Sequence, residues 1–407
     1  MTEKFKRLDD LEERILSCVA IGDCRGALKG PYSNPFLEST CPMRDHGPGF
    51  EAFFARGRFT IARALLNGKI EPCEGLAEII YQCTLCGACR EVCNNPANPC
   101  MSNPARESID DHVEIWEALR ADLVDAGVAP LDRHKEIFDH EIKEHNPYFE
   151  NHNERLKWVP QGFDIYSKGG DALFFVGCTS AYRLNEISKS FLEIANKAGL
   201  KLSITADEWC CGSINLRTGA EDLFKELVEH NKNVFKKAEV DKIVVTCAGC
   251  YKTLKYDYPK YVKDWDFEVL HAVELVYQLI NQDKIKVSKK IEGNITYHDP
   301  CHLGRHSGIY DTPRDVINAI RKDNFIELRR NRNYSYCCGA GGGLKSGFPD
   351  LAIEIAGDRI KEAEETGADI LTTTCPFCLN NLKDAAKELN SEIKIIELLD
   401  LVNQAID

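Results

Sequence analysis

Ten of the nineteen cysteines in this 407-residue chain repeat one pattern: Cys178, Cys210, Cys211, Cys247 and Cys250, then Cys301, Cys337, Cys338, Cys375 and Cys378. The two copies read C-x31-CC-x35-CxxC and C-x35-CC-x36-CxxC. A tetrahedral zinc or an ordinary cubane cluster takes four ligands, so five thiolates per copy exceed the needs of either. The surplus sulfur points to an unusual iron-sulfur centre.

A further group stands upstream. Cys83, Cys86, Cys89 and Cys93 are spaced C-x2-C-x2-C-x3-C, by which a tight loop wraps three thiolates around one cubane and sends the fourth to another. Cys18, Cys24 and Cys41 take the places of a partner run, with Pro42 after Cys41, but Ile21 replaces its middle ligand and the gap from Cys24 to Cys41 is long. On ferredoxin logic Cys83, Cys86, Cys89 and Cys41 hold one cubane, and Cys18, Cys24 and Cys93 hold most of another. Cys73 is the first candidate for its last position and Cys100 the second. A three-iron cluster or a non-cysteine ligand is the remaining alternative.

The elements that must position these thiols also repeat. Asp171-Ala-Leu-Phe-Phe-Val-Gly-Cys178 matches Asn294-Ile-Thr-Tyr-His-Asp-Pro-Cys301, and Ile243-Val-Val-Thr-Cys247 matches Ile370-Leu-Thr-Thr-Thr-Cys375, at offsets of 123 to 128 residues. One unit is therefore used twice. Each copy alternates short apolar runs with helical stretches such as 184–198 and 352–366, which implies parallel strands joined by crossover helices. Ligands of such sheets gather at the carboxyl ends of the strands. A glycine follows each adjacent cysteine pair, Gly212 and Gly339, and permits the positive φ that two consecutive thiols facing one site require. The run Gly339-Ala-Gly-Gly-Gly343 brings backbone close to a cluster or opens it to substrate; no Gly-x-Gly-x-x-Gly fingerprint marks it as a dinucleotide loop.

The fold class expected is α+α/β: a helical two-cluster ferredoxin-like N-terminal module (1–110), a connector (111–167), and two tandem α/β cysteine-rich domains (168–290 and 291–407). The segment 50–66 reads as an amphipathic helix. The connector is polar, and its histidines, His134, His140, His145 and His152, lack a ligand spacing and read as solvated. So does the basic run 329–332. A net charge of −13 gives no electrostatic case for nucleic acid. No run of eighteen apolar residues and no export signal are present, which predicts a cytoplasmic protein without a membrane span of its own, with reduced thiols on metal.

The doubled five-cysteine pattern after a two-cluster segment resembles the catalytic subunit of heterodisulfide reductase in its fused form, with two cysteine-rich CCG domains. It is also similar to the iron-sulfur subunits of glycolate, lactate and glycerol-3-phosphate dehydrogenases. The resemblance covers essentially the whole chain. It implies that Cys178, Cys210, Cys211, Cys247 and Cys250 hold one noncubane [4Fe-4S] cluster, and Cys301, Cys337, Cys338, Cys375 and Cys378 another, with the two cubanes relaying single electrons to cleave a disulfide. Arg183, His298, His302 and Arg305, beside the first cysteine of each motif, contact an anionic substrate, tune a cluster, or only pack.

The function expected is an electron-transfer or disulfide-reducing subunit of an anaerobic oxidoreductase complex. No flavin or nicotinamide fingerprint is present, so a partner exchanges the electrons: a flavoprotein, an electron-bifurcating subunit or a membrane cytochrome, the last giving membrane association. The alternative is an iron-sulfur relay for a flavin-linked 2-hydroxyacid dehydrogenase, a quinone-linked module or an aromatic acyl-CoA reductase complex. Zinc in one repeat is a further alternative, although a zinc-only protein leaves the fifth thiolate unexplained.

Overall fold

The computed structural model describes residues 5–20, 22–25, 39–93, 111–163 and 165–406. Two parallel sheets form its frame. The first has strands in the order β2-β1-β3-β4, with β1 Ala172–Phe175, β2 Leu202–Ser203, β3 Lys242–Val245 and β4 Glu268–His271. The second runs β5-β6-β7, with β5 Ile295–His298, β6 Ile370–Thr373 and β7 Lys394–Glu397. All pairings within both sheets are parallel. A single parallel bridge from Ile295 to Phe325 stands where β2 stands beside β1, so the second sheet repeats the order of the first with one strand reduced to a bridge.

The residue types explain these strands. All four residues of β1 and of β5 are buried, as expected where helices cover both faces of a parallel sheet. The crossover helices carry one apolar stripe each: Ile187, Phe191, Leu192 and Ile194 on Asn185–Lys197, and Ile355, Ile360 and Ala363 on Pro349–Glu365. Each large apolar side chain so buried contributes about 1.5–3 kcal/mol. The last strand of each sheet ends in a buried polar cap: His271 accepts the N–H of Val273, and Glu397 that of Leu399. These fill one orphan donor of the helix that follows.

The two copies pack reciprocally. The helix after β1, Asn185–Lys197, lies on the helix after β7, Leu398–Ala405; the helix after β4, Ala272–Asn281, lies on the helix after β5, Asp311–Arg321. One hydrophobic core runs through both sheets. This arrangement turns the carboxyl ends of the two sheets toward each other.

Upstream, the helices Ala55–Leu66, Glu74–Tyr81 and Asp111–Asp125 form a smaller core around Phe59, Ile80, Trp116 and Leu119. The segment after residue 110 is more than a polar connector. Arg120 of the helix Asp111–Asp125 is fully buried and donates to the carbonyls of Ile80, Tyr81 and Cys83, of Arg217 in the first copy, and of Gly342 in the second. One guanidinium therefore ties three parts of the chain together. His134 is likewise buried and bonds the Gly343 carbonyl at 2.9 Å. His145 stacks on Trp209, whose other face meets His230, at 3.6 Å between ring centroids in each case. The solvated reading fails for His134 and His145. It fails also for Arg330, which pairs with Glu362 at 2.8 Å and lies over Tyr336. Cys100 and Ile21 fall outside the described residues.

Stranding one buried carbonyl costs about 1–3 kcal/mol. Arg120→Met strands several at once and is expected to destabilise the protein by at least about 3 kcal/mol, with the N-terminal segment released first; denaturant midpoints and limited proteolysis of anaerobic protein check this.

Candidate metal centres

The cysteines of each copy sit on three turns at the carboxyl ends of its strands. Cys178 follows β1 and starts the short helix Cys178–Tyr182. Cys247 and Cys375 follow β3 and β6 as N-cap residues, with Cys250 and Cys378 one turn into the helices Ala248–Lys252 and Pro376–Glu388. The adjacent pairs rest on their glycines. Gly212 and Gly339 have φ of +75° and +82°, and their N–H groups donate to the Sγ of Cys210 and Cys337 at 3.4 and 3.3 Å. A Cβ at Gly339 would collide with the Ala352 carbonyl.

Because the sheets face each other, the two sets line one cavity of about 190 Å³: Cys178, Cys210, Cys211, Cys247 and Cys250 on one side, Cys301, Cys338, Cys375 and Cys378 on the other. Their thiols interact in an unbroken series, from Cys178 through Cys210, Cys211, Cys250 and Cys247 to Cys375, Cys378, Cys338 and Cys337. The crossing between copies is made by the equivalent residues Cys247 and Cys375. Cys338 and Cys378 lie 3.2 Å apart. Hydrogen bonds from Cys210 and Cys250 hold Cys211 well below the usual thiol range, helped by the Ser213 N–H and Arg217. Cys338 is held down in the same way by Cys337, Cys378 and the Ala340 N–H, and Cys375 by Cys247, Cys378 and the helix N–H groups of Cys378 and Phe377. The thiolate is the form that ligates metal.

The series continues upstream, since Cys337 also interacts with Cys86. Cys41, Cys83, Cys86 and Cys89 line a second, small cavity with Arg58 and Trp116. Cys18, Cys24 and Cys93 line a third, with Arg56, Phe59 and His112. Cys73 is exposed at the start of Glu74–Tyr81 and lines none of these cavities. The glycine run explains how the upstream loop comes so close: a Cβ at Gly342 would stand 2.7 Å from the Cys83 carbonyl and one at Gly341 2.8 Å from that of Thr84.

Charged neighbours differ between the copies. Arg155, fully buried, points its Nη1 at Cys178 Sγ at 3.7 Å and pairs with Glu208, whose carboxylate accepts the N–H groups of Val176 and Gly177 on the approach to Cys178. Glu141, pushed up to about 7 by burial, hydrogen-bonds Asn215 and the Cys210 thiol. In the second copy Arg305 donates to the carbonyls of Cys86, Asn333 and Ser335, joining it to the upstream loop. His302 lines the shared cavity, its Nδ1 3.4 Å from Cys301 Sγ. His298 is buried behind it, with neither ring nitrogen hydrogen-bonded. Arg183 pairs with Glu150 and lies outside the cavity. Arg155, Glu208 and Glu141 carry no spacing signal and were not legible in the sequence.

The donor set is one of soft sulfurs, too many for isolated tetrahedral ions and gathered around cavities, which fits iron-sulfur groups. The class so defined is that of iron-sulfur proteins with a duplicated cysteine-rich domain, and the family model described as "Cysteine-rich domain" matches residues 172–255 and 295–383. The chain is 40% identical over 339 residues to a subunit of the dihydromethanophenazine:CoB–CoM heterodisulfide reductase of Methanosarcina mazei, covering 82% of this chain and 79% of that one. It is 32% identical over 335 residues to a subunit of the fumarate reductase (CoM/CoB) of Methanothermobacter marburgensis, covering 81% of this chain and 62% of that one. An EtfAB:quinone oxidoreductase of Syntrophomonas wolfei matches at 29% over 444 residues, 99% of this chain and 59% of that one. The chain belongs to the family of this heterodisulfide reductase polypeptide and is an iron-sulfur component of an oxidoreductase. Among the described residues no helix is long and apolar enough to cross a membrane.

Gly339→Ala forces a side chain into the Ala352 carbonyl at a left-handed backbone position. It is expected to lower the metal content of the protein through the second copy while the first keeps its own; metal analysis of the anaerobically purified variant measures this.

Proposed function

We propose that this chain interconverts a disulfide and two thiols at the cavity between its two cysteine-rich domains (168–290 and 291–407), exchanging electrons through a ferredoxin-like module within residues 1–110. The observation that carries the reading is the placement of nine of the ten repeat cysteines around one cavity, with the tenth, Cys337, beside Cys86 of the upstream thiols. In the first domain Cys178, Cys210, Cys211, Cys247 and Cys250 would hold a noncubane [4Fe-4S] cluster; in the second, Cys301, Cys337, Cys338, Cys375 and Cys378. Cys41, Cys83, Cys86 and Cys89 would hold a cubane, and Cys18, Cys24 and Cys93 would supply three ligands of another. Such groups, when bound, supply electrons one at a time, whereas a disulfide needs two.

The balance is simple: the S–S bond breaks, two electrons and two protons are taken up, and two thiols leave. The chain's own residues do the rest. The cavity walls, Ile137, Pro147, Phe377 and the apolar faces of the cysteines, give a mostly apolar lining that suits sulfur. Tyr148, Thr179, Ser213, His302 and Ser346 are among the polar groups lining the cavity that would orient the two halves of the substrate. Arg217 also lines the cavity but is already matched by Glu117 and Asp257. The nearness of Cys86 to Cys337 supports electron entry at the second domain. The relatives are named as subunits of larger oxidoreductases, which supports an electron partner for this chain; a flavoprotein, an electron-bifurcating subunit or a membrane cytochrome would fill that place.

Zinc in the second domain is the alternative occupancy, favoured by two sets of close donors there: His298 with Cys338 and Cys378, and Cys301 with His302 and His306, each within 4.8 Å. Metal analysis separates the two: four four-iron clusters give about sixteen irons per chain, whereas zinc lowers that by roughly four. An oxidative EPR titration with and without candidate thiols tests the chemistry. A paramagnetic signal that develops only with a thiol is the expected result. Full iron content with a spectrum indifferent to every thiol would make the chain a relay whose substrate belongs to its partner.

A further inference from the structure

We infer that His112 is the fourth ligand of the iron-sulfur cluster held by Cys18, Cys24 and Cys93, completing through Nδ1 the site where Ile21 interrupts the cysteine run. The inference rests on the reading that the N-terminal module binds two clusters.

Three observations converge. His112 and the three thiols line the same small cavity, of about 20 Å³. The imidazole is 6% exposed, and its Nδ1 has no hydrogen-bond partner among the described residues. An orphaned ring nitrogen at such depth is unfavourable, and a bond to metal would offset that cost. The ring is also fixed in place: Phe59 meets it edge-on at 5.2 Å and is itself packed against Trp116 at 4.8 Å. The neighbouring cavity makes the contrast. It is lined by four thiols, Cys41, Cys83, Cys86 and Cys89, and by no histidine. Where one thiol is missing, an imidazole stands. Cys73 is exposed and lines neither cavity. Asp23 also lines the third cavity and is the oxygen alternative.

A neutral imidazole in place of a thiolate makes the site one charge less negative and raises its reduction potential. The two clusters of the module would then differ in potential, with the histidine-ligated one the electron reservoir.

Pulsed EPR of the reduced, fully loaded protein tests this through the nuclear coupling of a directly bound nitrogen. The expected results are a strong 14N coupling in the wild type, its disappearance in His112→Cys with iron retained, and a lower midpoint potential for that cluster. His112→Ala is expected to shed about one iron and give a three-iron signal. Cys73→Ser and Cys100→Ser are expected to change neither iron nor coupling. About sixteen irons without nitrogen coupling, or loss of the cluster in Cys100→Ser with His112→Cys unchanged, overturns the inference and leaves the two-cluster reading standing. Iron content in the wild type short by roughly four, with only one module cluster in the spectrum, removes that reading and the inference with it.

Discussion

The meeting of Cys247 and Cys375 at one cavity is the point on which the architecture turns. These are equivalent residues of a duplicated unit, and equivalent residues meet only where two copies face each other about a shared axis. The reciprocal packing of Asn185–Lys197 on Leu398–Ala405 and of Ala272–Asn281 on Asp311–Arg321 holds that orientation. Parallel strands deliver their loops to one edge, so opposing the two edges gathers nine of the ten repeat cysteines around a single cavity. Without the opposition each copy would present half a site to solvent.

The upstream residues break this symmetry. Cys86 approaches Cys337 and Arg305 spans the loops that carry them, whereas the first copy has Arg155 over Cys178 and Tyr148 beside Thr179, its hydroxyl 2.8 Å from the Thr179 Oγ1. A unit used twice has been given two different surroundings. The glycines 341–343 belong to this asymmetry, since they flatten the second copy where the loop of Cys83 and Thr84 lies against it, and the first copy carries no such run.

Much of the frame was legible because duplication is visible as spacing. The crossover helices expected at 184–198 and 352–366 are Asn185–Lys197 and Pro349–Glu365, and both glycines after the cysteine pairs have the positive φ that their place required. The segment from 111 to 163 reads as a polar connector whose histidines are solvated, and the reason that reading fails for His134 and His145 is physical. Its most deeply buried side chains include Arg120, His134, Glu141 and Arg155, so polarity, which ordinarily reports exposure, here reports hydrogen bonding to distant carbonyls and sulfurs. Ligands that come from such a segment have no local pattern. The spacing around Ile21 announced a missing donor, but only the fold could bring His112 to the same cavity as Cys18, Cys24 and Cys93.

Arg58, Arg120 and Arg305, all buried, spend their hydrogen bonds on main-chain oxygens: Gln82 for the first, five carbonyls for the second, and Cys86, Asn333 and Ser335 for the third. Carbonyl dipoles solvate a cation but do not neutralise it, and an interior that holds several such charges is unfavourable unless anions join them. The sulfurs nearby are those anions, once metal holds them deprotonated. Charge balance in this interior therefore arrives with the inorganic groups, and acquisition of those groups is coupled to the chain's reaching its compact state. Loading of the inorganic groups and closure of this interior then favour one another.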